Sequence, residues 1–167
     1  MKWGVDNMFK RIKFLLALFM SVIVLLAGCG TSSVPYKKGD TYKDNQDNFV
    51  KITNENEWQV KGYRNHEALY KVEPMEYKGG SYSVVSISLK EKMTKKDPWL
   101  ILNEFEYYIL APTEKGFSAV YIGTSNSNDT KWKEFKNELE NVKDKEAFLK
   151  KEFESGKKTS KKFEKTN

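Results

Sequence analysis

The stretch ALYKVEPMEYKGGSYSVVSISL, residues 68–89, narrows the possible folds more than any other part of the chain. Two apolar-alternating runs flank Gly79-Gly80, and glycine supplies the positive φ of a two-residue hairpin turn. Before the turn, Leu69 to Tyr77 is strand-like. Pro74 marks an edge or a bulge there, because it has no ladder donor. After the turn, Val85, Ile87 and Leu89 share one face, with Ser86 and Ser88 on the other. An isolated hairpin is only marginally stable in water, so further strands must cover it.

The neighbouring segments provide them. NFVKIT sets Phe49, Lys51 and Thr53 against Val50 and Ile52, and EWQVKGY puts Trp58 and Val60 on one face. WLILNEFEYYILAP and GFSAVYIGT form a second apolar pair around TEKG. In Trp99–Pro112, Asp97 and Pro98 make a good helix start, but the density of β-branched and aromatic residues favours one bent strand or two short ones. The character changes at Asp129. Trp132, Phe135, Leu139, Val142, Leu149 and Phe153 fall on one helical stripe, with Asp129 or Thr130 as N-cap and Gly156 as stop. The expected class is α+β: an antiparallel β-meander or small barrel-like sheet of about six strands, then one C-terminal amphipathic helix packed on it.

The N-terminus has a different logic. Lys10, Arg11 and Lys13 precede FLLALFMSVIVLLA, 14 residues without a charge. As a helix this run is about 21 Å long, short against a bilayer core of roughly 30 Å and right for the apolar region of a signal peptide. Met8 opens a complete positive region of its own. The run ends in Leu26-Ala27-Gly28-Cys29, which resembles the lipobox of bacterial lipoproteins. The resemblance implies a diacylglyceryl group on the Cys29 thiol and cleavage between Gly28 and Cys29, with Leu26, Ala27 and Gly28 recognised by the signal peptidase. Two acyl chains are what durable anchoring requires. The implied location is the outer face of the cytoplasmic membrane. The segment GDTYKDNQDNFVKITNENEWQV is broadly similar to small lipocalin-type or related barrel domains of exported lipoproteins.

The expected organisation is a signal peptide over 1–28, a flexible tether over 29–47, a β-rich domain with its helix over 48–156, and a disordered Lys-rich tail over 157–167. The tether and tail are too polar to bury much apolar surface. The formal net charge of +6 comes from the ends. Lys2, Lys10, Arg11 and Lys13 outweigh Asp6, and five tail lysines outweigh Glu164, whereas residues 29–154 hold 20 basic and 21 acidic side chains. A nucleic-acid-binding domain needs its basic residues clustered on one face of the body, so no nucleic acid is expected as partner. The mixed Lys and Asn-rich composition points to a Gram-positive host.

No catalytic constellation appears. His66 is the single histidine and Cys29 the single cysteine, too few for a zinc site of His and Cys ligands, and no nucleophile elbow or phosphate loop accompanies them. The expectation is therefore no enzyme, no cofactor and no metal. Glu104 and Glu106 would share a strand face, which is the one pairing a hydrolase reading has to work with. The nine tyrosines suggest an aromatic contact face from Tyr63, Tyr70, Tyr82, Tyr107 and Tyr121. The functional expectation is a lipid-anchored binding or interaction module contacting a protein, a wall polymer or a small ligand. An envelope hydrolase using Glu104, Glu106 or His66 is one alternative. An assembly protein acting through an exposed Trp132–Phe135–Leu139 stripe is another.

Overall fold

The computed structural model describes residues 34–101 and 104–166. The signal segment and Leu26–Cys29 lie outside the described residues. Within them are eight strands: β1 (Thr41–Asp44), β2 (Phe49–Asn54), β3 (Glu57–Lys61), β4 (Glu67–Gly79), β5 (Tyr82–Lys92), β6 (Phe105–Thr113), β7 (Gly116–Thr124) and β8 (Lys161–Lys165). Each pairs antiparallel with the next, and β1 pairs with β8, so the sheet closes into a barrel. Two helices, α1 (Lys131–Asn141) and α2 (Lys145–Gly156), are inserted between β7 and β8. All of this lies in one compact unit, residues 33–167.

The alternation read from the sequence sets the strand faces. Val50, Ile52, Trp58, Val60, Val85 and Ile87 all point into the interior and are buried. Eight strands enclose a space just wide enough for side chains to fill. Here rings fill it: Trp58 lies 4.9 Å from Tyr36, 5.8 Å from both Phe117 and Phe163, and 6.1 Å from Trp99, centroid to centroid. The β4–β5 register shifts between Pro74 and Lys78, the bulge that Pro74 demands. The hairpin turn is Gly80-Ser81, one residue later than the sequence suggests, with Gly80 at φ 55°.

Both expected polar flanks turn out to be wall. The supposed tether supplies β1 and carries Tyr36 and Tyr42 into the core, each at most 3% exposed. The supposed disordered tail supplies β8. Its one apolar side chain, Phe163, stacks on Phe117 at 4.5 Å and 12°. Ladders on both sides satisfy its backbone: Phe163 registers with Asp44 on β1 and with Phe117 on β7. Lysine-rich composition hides such a strand, because a single buried ring and two sets of hydrogen bonds suffice to order five residues. Gly116 makes the approach possible, since a Cβ there would stand 2.1 Å from the Phe163 carbonyl oxygen. The strand count rises from about six to eight.

The single predicted helix is two. The stripe breaks at its widest gap, between Val142 and Leu149, where the Asp144 carboxylate accepts a hydrogen bond from Ala147 N at 2.9 Å and caps α2. Thr130 is the N-cap of α1, but the Asp129 carboxylate accepts from Lys131 N at 2.9 Å. Phe135, Leu139, Phe148, Leu149 and Phe153 pack on Val84, Ile109, Ala111, Val120 and Ile122 of the outer barrel wall. The Trp132–Phe135–Leu139 stripe is thereby packed on the barrel rather than free for assembly, with Trp132 half-buried.

Candidate functional site

Antiparallel alternation gives the barrel two unlike ends. At the entry end the chain arrives through Val34–Tyr36, beside the β2–β3, β4–β5 and β6–β7 turns. The Tyr36 hydroxyl donates to Glu55 O at 3.3 Å there. The far end carries the β1–β2, β3–β4 and β5–β6 loops and the departure toward α1.

The far end is sealed from within by the β5–β6 loop, whose Trp99 and Ile101 point into the barrel. This corrects the strand reading of Trp99–Pro112: the strand starts only at Phe105. Residues 97–101 form a plug held by buried polar groups. The Asp97 carboxylate accepts from the Tyr70 hydroxyl at 2.8 Å and from Ile101 N at 3.2 Å. The Tyr70 oxygen in turn accepts from Trp99 N at 3.1 Å. The Asp44 carboxylate accepts from Trp99 Nε1 at 2.9 Å, Asn48 N at 2.9 Å and Asn48 Nδ2 at 2.8 Å. Lys161, on the inward face of β8, places its ammonium 4.8 Å from the Trp99 ring centre and 5.5 Å from that of Tyr108. Burial pushes its pKa down, against the opposing pull of Glu106, Asp44 and Asp97. The Tyr108 hydroxyl donates to Glu106. Each carboxylate already has donors and the cation has rings, so the cluster is equipped to hold a loop rather than to transfer protons.

Above this plug is an exposed rim. Among the described residues the large apolar side chains most open to solvent are Phe49, Tyr63, Met93, Leu100, Phe105 and Tyr121. Phe49 opens β2, Tyr63 follows β3, Met93, Leu100 and Phe105 bracket the plug loop, and Tyr121 is near the end of β7, so all six belong to the far half. Tyr63 is 77% and Leu100 69% exposed. The backbone turns left-handed in the same loops, which strains Arg64 and Leu100 and is tolerated by Asp47 and Asn65. Among the described residues the non-glycine positions with positive φ are Asp47 (65°), Arg64 (56°), Asn65 (58°) and Leu100 (57°). A left-handed conformation costs an ordinary residue about 1–2 kcal/mol, and such strain concentrates at functional sites. Lys61, Arg64, Lys92, Lys95 and Lys96 are exposed around the rim. Asp47 and Glu91 oppose them, and Asp47 is paired with Lys43 at 2.8 Å.

The five tyrosines singled out by sequence do not share a face. Tyr63 and Tyr121 reach the rim, and Tyr121 is pushed up to about 12 by burial and by its hydrogen bond to Asp129. Tyr70 is inside the barrel. Tyr82 and Tyr107 lie under the helices, Tyr107 stacked on Trp132 at 3.9 Å. Glu104 and Glu106 are engaged by different partners, Glu104 by Asn126 Nδ2 at 2.7 Å and Glu106 by Tyr108. His66 sits at the end of the β3–β4 loop, its carbonyl accepting from Gly62 N at 2.8 Å. Sequence reasoning missed Leu100, Met93, Phe49 and Phe105 as surface residues, because apolar residues beside strands read as core. The one available signal was Phe49, which alternates out of phase with Val50 and Ile52.

A second concavity, a groove of about 330 Å³, runs between the helices and β7. Val120, Ile122, Phe135 and Phe148 floor it, and Glu134, Glu138 and Glu152 wall it. Among the described residues no group of three or more His, Cys, Asp or Glu is arranged to hold a metal ion, and no helix is long and apolar enough to cross a membrane.

No solved structure matches the chain. An uncharacterised protein of Bacillus anthracis is 62% identical over 148 residues, covering 87% of this chain and 91% of that protein. The model of a family of unknown function, DUF5512, matches residues 28–167. The match spans the whole barrel, the helices and the rim, and the chain belongs to the DUF5512 family.

Proposed function

We propose that this protein is an exported, lipid-anchored barrel domain that works by surface contact outside the cytoplasmic membrane. The observation that carries the contact reading is the far rim, where exposed apolar side chains gather on strained loops above an interior filled with rings. A filled interior favours contact through the outer surface over carriage of a ligand inside. The anchoring half rests on the sequence: a positive region, an apolar run of 14 residues and Leu26-Ala27-Gly28-Cys29.

The test of anchoring is intact mass of the membrane-extracted protein beside a Cys29→Ala variant. The expected result is wild type trimmed to Cys29 and carrying a diacylglyceryl mass, with the variant lacking both. Retention of residues 8–28 without lipid in both proteins would overturn the anchor and the location with it.

A further inference from the structure

We propose that the far rim binds the surface of an anionic bilayer. The inference rests on the contact reading of the rim and not on lipidation of Cys29. Three observations converge on it. The apolar tips stand at three places around one barrel end, Phe49 at the start of β2, Tyr63 on the β3–β4 loop, and Met93 and Leu100 on the β5–β6 loop, where each can enter an interface. Exposed Lys61, Arg64, Lys92, Lys95 and Lys96 surround them. The charge is carried mainly by lysine, which is depleted from protein–protein interfaces but suits an anionic membrane surface. Aromatic and aliphatic tips flanked by basic residues are the composition an interfacial membrane contact requires. The left-handed backbone at Leu100 holds an apolar side chain out in water at an energetic cost that a purely structural loop would shed by placing glycine or asparagine there.

The test uses residues 30–167, which contain all eight strands and both helices in one compact unit. Co-sedimentation is measured with vesicles of phosphatidylglycerol and phosphatidylcholine in a three-to-seven ratio, and with phosphatidylcholine alone. Binding to the anionic vesicles should be at least about tenfold tighter and should fall with salt. Reversing Lys92, Lys95 and Lys96 to Glu should weaken it at least ~100-fold, at about fivefold per charge neutralised near the surface. Leu100→Asn with Met93→Gln should weaken it about tenfold and leave circular dichroism and thermal midpoint intact or improved, since asparagine tolerates the left-handed conformation. Reversing Lys136, Lys143 and Lys145 on the helix side, toward the entry-end turn where Glu146 lies beside Gly80, applies the same charge change away from the rim and should cost less than about threefold. The proposal is overturned by absence of binding to the anionic vesicles, by equal binding to the neutral ones, or by an equal loss in the helix-side variant. It is overturned equally if the rim variants dissociate a self-associated species and leave vesicle binding unchanged, which would make the rim a protein contact. None of these results depends on the mass of Cys29.

Discussion

The two ends of the barrel are made from the same eight strands and solve the same problem differently. At the entry end the tight turns that need positive φ have glycine: Gly39, Gly80 and Gly116. At the far end the loops place Asp47, Arg64, Asn65 and Leu100 in that region instead. The entry end is closed by an apolar ring, Tyr36. The far end is closed by Trp99 on a knot of Asp44, Asp97, Tyr70 and Lys161, with apolar residues left outside it. A relaxed, glycine-built end fits the chain's point of arrival. A strained, exposed end is what a contact surface looks like when the fold beneath it is rigid.

The largest expected effect breaks both ends at once. Phe163 is the ring that holds β8 between β1 and β7, so Phe163→Ala removes the seam common to them. It should cost about 3–5 kcal/mol, the usual range for a buried phenylalanine. In urea denaturation the midpoint should fall sharply. A loss below about 1 kcal/mol would mean that the barrel does not depend on its closing strand.

Asp44→Ala should act on the far end alone. It removes the acceptor of Trp99 Nε1, Asn48 N and Asn48 Nδ2, leaving buried donors unsatisfied. Orphaned buried donors cost about 1–3 kcal/mol each before relaxation, and we expect a net loss of about 3 kcal/mol. Limited trypsin cleavage at Lys95 and Lys96 should accelerate well before the entry end is attacked. Uniform cleavage at both ends would show that the plug and the turns unfold together.

Acid should act on the entry-end seam and spare the plug around Trp99, although the Asp129 carboxyl beyond β7 is also held below its usual value and its contribution should be lost with the seam. Burial raises the Asp40 carboxyl, but hydrogen bonds from Lys165, Tyr42 and Lys37 N outweigh it and hold the pKa below the usual value. Asp40 and Lys165 are 2.6 Å apart across the seam. A depressed folded-state pKa contributes stability above the unfolded value, lost as pH falls through the folded one. Below about pH 4 the Tyr42 and Thr41 amides should therefore lose protection, measured against their intrinsic exchange rates, while those around Trp99 keep it. Simultaneous loss around Trp99 would dissolve the distinction.

How much of this was legible follows from the physics of each part. The central strands could be read because a side-chain period of two with apolar residues inside is a direct record of burial. Val50 and Ile52, Trp58 and Val60, and Val85 and Ile87 all carried it. The closing strands did not, since β1 and β8 each bury few side chains and draw much of their order from partners more than a hundred residues away. Composition, which averages over neighbours, misassigned both. The helix break was visible in retrospect as the Val142–Leu149 gap with Asp144 inside it. The rim was hidden for a further reason: exposure of Leu100 follows from the path of a loop whose ends are fixed by Tyr70 and Asp97, and no local pattern encodes that.

Lys161→Met asks whether the far end needs its buried charge for folding. Burial lowers the lysine's folded-state pKa. A depressed lysine opposes folding while protonated, and that cost is relieved as pH rises through the folded pKa toward the unfolded value near 10.4. Wild type should therefore gain slightly in stability on the alkaline side, and the methionine variant should not. At neutral pH the variant should lie within about 1 kcal/mol of wild type, because lost cation–π attraction and relieved desolvation nearly offset each other. Cation–π contacts with Trp99 and Tyr108 favour the charged form. A loss above about 2 kcal/mol would make the ammonium a required strut.

The smallest effect is also the sharpest discriminator between the ends. Leu100→Gly should stabilise the protein by up to about 1 kcal/mol, since the side chain is mostly in water and glycine adopts its φ of 57° without strain. The gain is reduced by the extra entropy glycine brings to the unfolded chain. Gly80→Ala, at φ 55° on the entry end, should do the reverse, and more strongly. Alanine there takes a left-handed conformation that costs about 1–2 kcal/mol, while the Glu146 carboxylate oxygen 2.1 Å from its Cβ ends a flexible side chain and can swing aside. Thermal midpoints moving in opposite directions would show that the far end carries strain the fold does not need, which is the mark expected of a surface retained for contact. Midpoints moving together would make Leu100 a structural residue and leave the two ends alike in kind.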